Sequence, residues 1–443
     1  MQETISTTPA KTNKTQENQI VGIPHPPPYS WLFLDLNSYF ASVEQQENPK
    51  LRGKPVAVVP LLTDATCAIA ASYEAKRLGI KTGTKIYEAK RLCPQLVCVL
   101  AHHDTYVNYH HRILSEVIKH TPINKICSID ELSSHLPPNK RSKDAATQLA
   151  QRLKDGLRRN IGPAITCSIG IAPNAFLAKV ATDMQKPDGL VILDDSNLED
   201  RLFALKLTDL PGINTRMEFR LNKAGIRSVE QLWSLSPKHA RAVWGSVEGE
   251  RFWYKLHGYD LPEQETQRSV VGHSRVLDPD LRRPDVAKLV ARRLMIKAAS
   301  RLRRIDLYAT RIDLGVRTNL GDRFGATFPC APSQDNFAFL NALDLLWNAM
   351  IDQINPWQLK KVSVTLHGLC HRNDITPDLF DTSSKDFQKL EKKSKALSDV
   401  IDSINQKFGA ESIHLGPSPT TKAGYVGTKI AFNRIPELEE FQE

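Results

Sequence analysis

An apolar run from Trp31 to Leu34 ends on an acid, Asp35, and a second short apolar stretch, residues 127–129, ends on two, Asp130 and Glu131. An acid directly after an apolar strand is often only the N-cap of the helix that follows, and Asp35 alone reads that way. The adjacent pair is harder to place as scaffolding, because neighbouring carboxylates repel unless a cation compensates them. A divalent ion does this economically, since Mg2+ prefers hard oxygen donors from carboxylates and substrate phosphates. Two such ions about 3.5–4 Å apart can activate an attacking oxygen and stabilise a leaving one in phosphoryl or nucleotidyl transfer.

These acids need elements to hold them. Asp35 gives way to SYFASVEQQ, which has helical spacing, so a buried strand feeds a helix with the acid at the switch. KPVAVVP reads as a strand, and ATCAIAASYEAKRLGI as a strand followed by a short helix stopping at Gly79. Residues 104–119 and 143–158 have amphipathic helical spacing, with NKICSID a short strand between them. AITCSIGIA is a further strand, PNAFLAKVATDM a helix with its proline in the first turn, KPDG a turn and LVIL a strand. This alternation, to about residue 195, indicates an α/β or α+β unit. Residues 195–262 are helical. Beyond 268 the order is strand, a basic helix over 284–304, strand, a helix over 335–354, then strand, which makes a second α+β sandwich. A linker by composition follows, and then a helix over 386–407.

The 443 residues carry 59 Lys and Arg against 49 acids, a net charge of +10 that favours a polyanionic partner. Seven scattered cysteines include no C-x-x-C pair, so neither a disulfide framework nor a zinc site is indicated, and a reducing cytoplasm suits them. No run of 18 apolar residues exists, so no membrane span is expected. Residues 1–28 read as a polar, disordered leader ending in Pro26-Pro27-Pro28.

DLNSYFASVEQQENPKLRGKPVAV, ASYEAKRLGIKTG, SIDE and SIGIAPNAFLAKVATDMQKPDG resemble the successive signature blocks of Y-family (DinB/UmuC-type) DNA polymerases, in that family's order and spacing. The resemblance covers roughly residues 29–375. It implies an α+β multidomain right hand. A ferredoxin-like palm would span 29–38 and 102–193, small fingers 39–101, and a helical helix-hairpin-helix thumb 194–262. An α+β little finger would span 268–372, a linker 373–385 and a C-terminal extension 386–443. Asp35, Asp130 and Glu131, with the carbonyl of Leu36, then match the ligands of two Mg2+ ions.

Phe40 falls on the aromatic steric gate that excludes a ribose 2′-hydroxyl. Tyr39 packs under the sugar or, equally, into the core. Tyr73 and Lys76 match a pair that touches the incoming triphosphate, and Lys186 a third phosphate contact. Gly212 and Asn214 fall in the thumb turn, with Asn214 where a second glycine is usual; asparagine tolerates the left-handed conformation. Arg292, Arg293, Arg301 and Arg304, with Arg303, supply charge for sequence-independent DNA binding, or in part only solubilise a helix face. Leu379 and Phe380 resemble the apolar anchors of a sliding-clamp peptide that lacks its usual glutamine.

The implied partners are primer–template DNA, dNTPs and the clamp; no membrane is involved and the chain acts as a monomer. Lys76 stands where many members have Arg, Ala70 where several carry a hydroxyl, and Ala175 where lysine is frequent. The residues after Glu131, LSSHL, are less apolar than the family's strand. Two other readings are a catalytically inactive relative serving as a scaffold in a mutagenic complex, and a nucleotidyl cyclase. The intact acids argue against the first, and the thumb turn and basic second unit against the other.

Overall fold

The computed structural model describes residues 26–263, 269–375, 385–409, 412–416, 430 and 435–436. They form two compact units, the first running to Glu263 and taking in residues 430 and 435–436, the second made of the rest.

The first unit is built on a five-stranded sheet in the order β5-β6-β1-β7-β8. Strand β1 (Trp31–Leu36) leads into α1 (Tyr39–Glu47). A small three-stranded sheet follows, with β2 (Val56–Val59) between β3 (Ala70–Ala71) and β4 (Val97–Leu100). Helices α2 (Tyr73–Arg77) and α3 (Ile86–Leu92) belong to the same lobe. Its core is modest in size: Ala57, Val59, Ala68, Ile80, Ile86 and Ala89. The chain then returns through α4 (His103–Ile118), β5 (Lys125–Ile126), β6 (Glu131–His135), α5 (Lys143–Asn160), β7 (Cys167–Ala172), α6 (Ala175–Met184) and β8 (Leu190–Ile192).

Strand β1 is central and antiparallel to both neighbours, which is why WLFLDL is apolar nearly throughout: both of its faces are covered. Every residue of β7 is buried as well. Gly170 lets α6 lie directly on β7, since a Cβ there would collide with the Ala178 carbonyl. Five short helices complete the unit: α7 (Leu198–Phe203), α8 (Thr215–Lys223), α9 (Val229–Trp233), α10 (Pro237–Trp244) and α11 (Val247–Leu256).

The second unit runs β9 (Val270–Val276), α12 (Pro284–Arg304), β10 (Leu307–Thr318), β11 (Arg323–Ser333), α13 (Asn336–Ile354), β12 (Leu359–His371) and α14 (Lys385–Phe408). Its sheet order is β11-β10-β12-β9. Helices α12 and α13 bury one face through Val290, Met295, Leu302, Phe339, Leu343 and Trp347 against Ile312, Leu314, Val362 and Val364. Helix α14 docks on that helical layer. Arg303 donates to both carboxylate oxygens of Asp402 at 2.7 and 3.0 Å, and Ser394 and Ser398 donate to Asp335 at 3.0 and 3.2 Å.

Four sequence expectations are corrected. Strand β11 was not anticipated; it carries Pro329 and Pro332, which an edge strand tolerates because their missing N–H groups break no inner ladder. The polar residues after Glu131 do not weaken their strand: β6, Glu131–His135, pairs with β1 over five registers, with Ser133 and Ser134 buried between neighbours. Residues 127–130 are the turn between β5 and β6, so only Glu131 of the acid pair stands on a strand. Pro173 precedes α6 instead of entering its first turn: Asn174 is the N-cap, accepting from the Leu177 N–H at 2.8 Å.

Candidate active site

The antiparallel register of β1 and β6 pairs Asp35 with Glu131, which places their side chains side by side on one face. The N–H of Leu36 donates to the carbonyl of Asp130 at 2.8 Å, fixing the third acid one residue away. Thus the turn that keeps Asp130 off the strand also brings it to the other two. Asp35 is only 4% exposed, and Asp130 and Glu131 are partly buried.

Like charges this close require compensation, and α6 and the turn after it supply it. Lys179 Nζ lies 2.6 Å from Asp35 Oδ2 and 2.7 Å from Glu131 Oε1. Lys186 Nζ lies 2.8 Å from Asp35 and 2.8 Å from Asp183. Burial would raise the Asp35 carboxyl, but Lys179 and Lys186 outweigh it and hold it below the usual range. Asp130 is pushed up, by burial first and by the Asp35 charge, against a 2.5 Å bond from Ser128 Oγ. Burial also raises Glu131, with Lys179 opposing only in part. Burial would lower Lys179, yet Asp35 and Glu131 prevail and hold it well above the ordinary lysine range. The carboxylates therefore stand as two raised acids and one depressed one around shared ammonium groups.

Among the described residues no three metal-type side chains already converge as a cage. Asp130 turns towards Ser128, while Asp35 and Glu131 turn towards Lys179. The donor set nevertheless fits a hard divalent cation: three carboxylates at one end of two adjacent strands, in a place already held by positive charge. An ion would take over the position that Lys179 now fills.

The other expected residues gather around these acids. Lys76 Nζ sits 4.5 Å above the Tyr73 ring. Burial raises the Tyr73 hydroxyl, against bonds to Ser38 and Asn37 and the charge of Lys186. Lys76 is lowered, by desolvation first and then by Lys186. Two cations and a phenol thus sit within electrostatic reach of Asp35. Tyr39 resolves towards the core: it is 3% exposed and its hydroxyl donates to the Tyr106 carbonyl at 2.6 Å. Phe40 is half-buried, one ring face on Tyr106.

In the thumb turn Gly212 takes φ +93°, a conformation that favours glycine. Asn214 does not adopt the left-handed conformation expected of it. It is extended, at φ −90° and ψ 176°, and caps α8 by accepting from the Arg216 and Met217 N–H groups. A cavity of about 330 Å³ lies between this turn and α6, with Lys179 and Asp183 on one wall and Thr208 to Asn214 on the other.

In the second unit Arg292 pairs with Asp344 at 2.8 Å, so its charge is compensated internally. Arg293 and Arg301 are half-buried and Arg304 is exposed, and each takes part in an interaction within the protein. Sequence reasoning missed the open face of the sheet. There Arg317 is the register partner of Arg323 on one side and of Lys361 on the other. Three cations side by side across three strands destabilise a sheet, which is reasonable where a polyanion is to be bound. The alternation of Arg311, Asp313 and Arg317 with buried Ile312, Leu314 and Val316 was the sequence sign of that face. Leu379 and Phe380 lie outside the described residues.

Residues 34–183 match the model of the impB/mucB/samB family, and residues 268–379 that of its C-terminal domain. DNA polymerase IV of Oceanobacillus iheyensis is 30% identical over 396 residues, covering 86% of this chain and 90% of that protein. DNA polymerase IV of Bacillus velezensis is 29% identical over 396 residues, covering 86% and 91%. DNA polymerase IV 1 of Bacillus subtilis is 31% identical over 292 residues, covering 64% and 69%. Among solved structures, a Y-family DNA polymerase chimera aligns with TM-score 0.66 at 22% identity, over 77% of this chain and 99% of that one. The insertion ternary complex of Dbh DNA polymerase aligns with TM-score 0.51 at 24% identity over the same shares. These two likenesses speak for the fold, a mixed α+β polymerase architecture. With the sequence relatives beside them, the chain belongs to the impB/mucB/samB family, the Y-family (DinB/UmuC-type) DNA polymerases, and is a DNA-directed DNA polymerase.

Proposed function

We propose that the chain carries out error-prone translesion synthesis by two-metal nucleotidyl transfer on primer–template DNA. The observation that carries this is the in-register pair Asp35–Glu131 with Asp130 beside it, cation-compensated and adjacent to Tyr73, Lys76 and Lys186. Asp35, Asp130 and Glu131, with the Leu36 carbonyl, would hold two Mg2+ ions. When bound, these would neutralise phosphate charge and lower the pKa of the primer 3′-hydroxyl. Tyr73, Lys76 and Lys186 bind the triphosphate of the incoming dNTP, and Lys186, released from Asp35, neutralises charge on the departing pyrophosphate. Phe40 closes the sugar side of the site and excludes a 2′-hydroxyl by shape.

Gly212 and the thumb turn meet the DNA backbone. The row Arg323, Arg317 and Lys361 adds sequence-independent contacts, since arginine and lysine without paired Asn or Gln track phosphates and do not read bases. Leu379 and Phe380 are proposed as sliding-clamp anchors; clamp capture that survives Leu379→Ala with Phe380→Ala removes that assignment. The inactive-scaffold reading is not favoured, because all three palm acids are present and mutually placed.

Primer extension on undamaged and lesion-bearing templates, with Mg2+ and four dNTPs, tests the whole. Wild type should extend slowly and distributively, and Asp130→Ala with Glu131→Ala should lose at least about a thousandfold in rate. A folded, DNA-binding wild type that extends nothing, even with Mn2+, restores the scaffold.

A further inference from the structure

The ring proposed to sort sugars does not stand alone. Helix α1 carries Phe40 and, one turn on, Glu44 on the same face; α4 faces them with His103 and Tyr106. The Phe40 ring lies flat on the Tyr106 ring, with centroids 4.3 Å apart and planes 13° from parallel. Tyr106 is fully buried, at 0% exposed. Its hydroxyl donates to Glu44 Oε1 at 2.6 Å, and the same oxygen meets His102 Nδ1 at 2.9 Å. At its other end, the Tyr106 carbonyl accepts from the Tyr39 hydroxyl at 2.6 Å. His103 meets both rings edge-on, at 6.0 and 5.8 Å.

A steric filter works only if its wall cannot retreat. A half-buried phenyl ring on a helix can rotate about χ1 and χ2 at small cost, and a wall that yields no longer discriminates by shape. Here retreat is blocked. The ring below is itself pinned, by a buried carboxylate at its hydroxyl end and by main-chain bonding at the other.

We propose that Tyr106, locked by Glu44, is a positioning residue that sets the height of the Phe40 ring and so determines deoxyribonucleotide over ribonucleotide selection. This rests on Phe40 being the sugar gate. Tyr106 touches no substrate; it acts through Phe40. Removing the platform should therefore admit ribonucleotides while leaving the correct substrate nearly unaffected.

The test is single-nucleotide incorporation of matched dNTP and rNTP by wild type, Tyr106→Leu, Tyr106→Phe, Glu44→Gln and Phe40→Ala. Tyr106→Leu should lower the ratio of kcat/KM for dNTP over rNTP by about tenfold or more. The change should come mainly from a lower KM for the rNTP, with dNTP kcat/KM within about threefold of wild type. Tyr106→Phe keeps the stack and loses the lock, so it should fall between; Glu44→Gln keeps an acceptor for the hydroxyl and should stay near wild type.

If Tyr106→Leu slows both nucleotides equally and leaves the ratio unchanged, Tyr106 merely supports the fold and the proposal fails. Should that variant not fold, Tyr106→Phe and Glu44→Leu decide, and wild-type ratios in both overturn it. Phe40→Ala separates the layers. If it collapses the ratio while the Tyr106 variants do not, only the platform falls; if it leaves the ratio intact, the gate reading itself has failed.

Discussion

Lys179 occupies the position that two of the proposed metal-binding acids would otherwise contest, and sequence reasoning missed it. Its ammonium lies within 2.7 Å of both Asp35 and Glu131. Removing one partner from a buried ionic network leaves uncompensated charge, at a cost of about 3–5 kcal/mol when fully buried and less here, where Lys179 and Glu131 are partly exposed. Lys179→Met should therefore lower the melting temperature in EDTA. Added Mg2+ should then raise that temperature more, and at lower concentration, than in wild type, because the carboxylates no longer have a resident cation. Equal Mg2+ responses in the two proteins would count against metal binding at these acids. The three acids were legible in the sequence because each follows an apolar run. Lys179 was not, since a lone lysine among FLAKVATD reads as a solvated position. The informative pattern was Lys179 and Asp183, four apart on the polar side of a helix whose other side is apolar, with Lys186 in the turn just after it.

Among the elements, the short thumb helices have little apolar area and depend on a few aromatic contacts. His257 lies between two indoles, with ring centroids 3.9 Å from Trp233 and 3.7 Å from Trp253. Burial pulls it from 6.5 down to about 4, although its bond to the Trp253 carbonyl works the other way. A histidine depressed on folding is protonated first in the unfolded chain. Stability is thus complete above about pH 6.5 and declines as pH falls from there to about 4, by roughly 3 kcal/mol. Melting temperatures between pH 7 and 4.5 should fall more steeply for wild type than for His257→Phe; parallel curves would show that this histidine does not titrate on unfolding. The longer helices were legible, their apolar stripes placing them to within a few residues, whereas α3 was not anticipated and α7 to α11 were read only as one helical stretch. What failed were places where one side chain decides: Asn214 capping a helix, Pro173 stopping short of one, and β11, whose glycine and prolines mask a real alternation.

At the scale of the whole molecule, the net charge of +10 did indicate a polyanion, but only the paired strands show which cations stand together. Composition suggested the long basic helix, whereas the structure compensates Arg292 and Arg303 internally and lines up Arg323, Arg317 and Lys361 on an open sheet. Replacing those three with alanine should flatten the dependence of log K for DNA on log salt by roughly 2–3 units of slope. The weakening should be equal on unrelated sequences, and the extension rate at saturating DNA should hardly change. An unchanged slope would move the DNA-binding face elsewhere. The central position of β1 has one more consequence, for how the protein is made. The strand bearing Asp35 leaves the ribosome before its partners, which begin at Glu131 and Cys167, about 100 and 135 residues later. Until both have been synthesised, WLFLDL has two unpaired edges and two uncovered faces, the form in which strands associate wrongly. A nascent chain stalled before β7 is then a candidate for chaperone capture, and truncations ending between Glu131 and Cys167 should aggregate instead of yielding a smaller soluble domain.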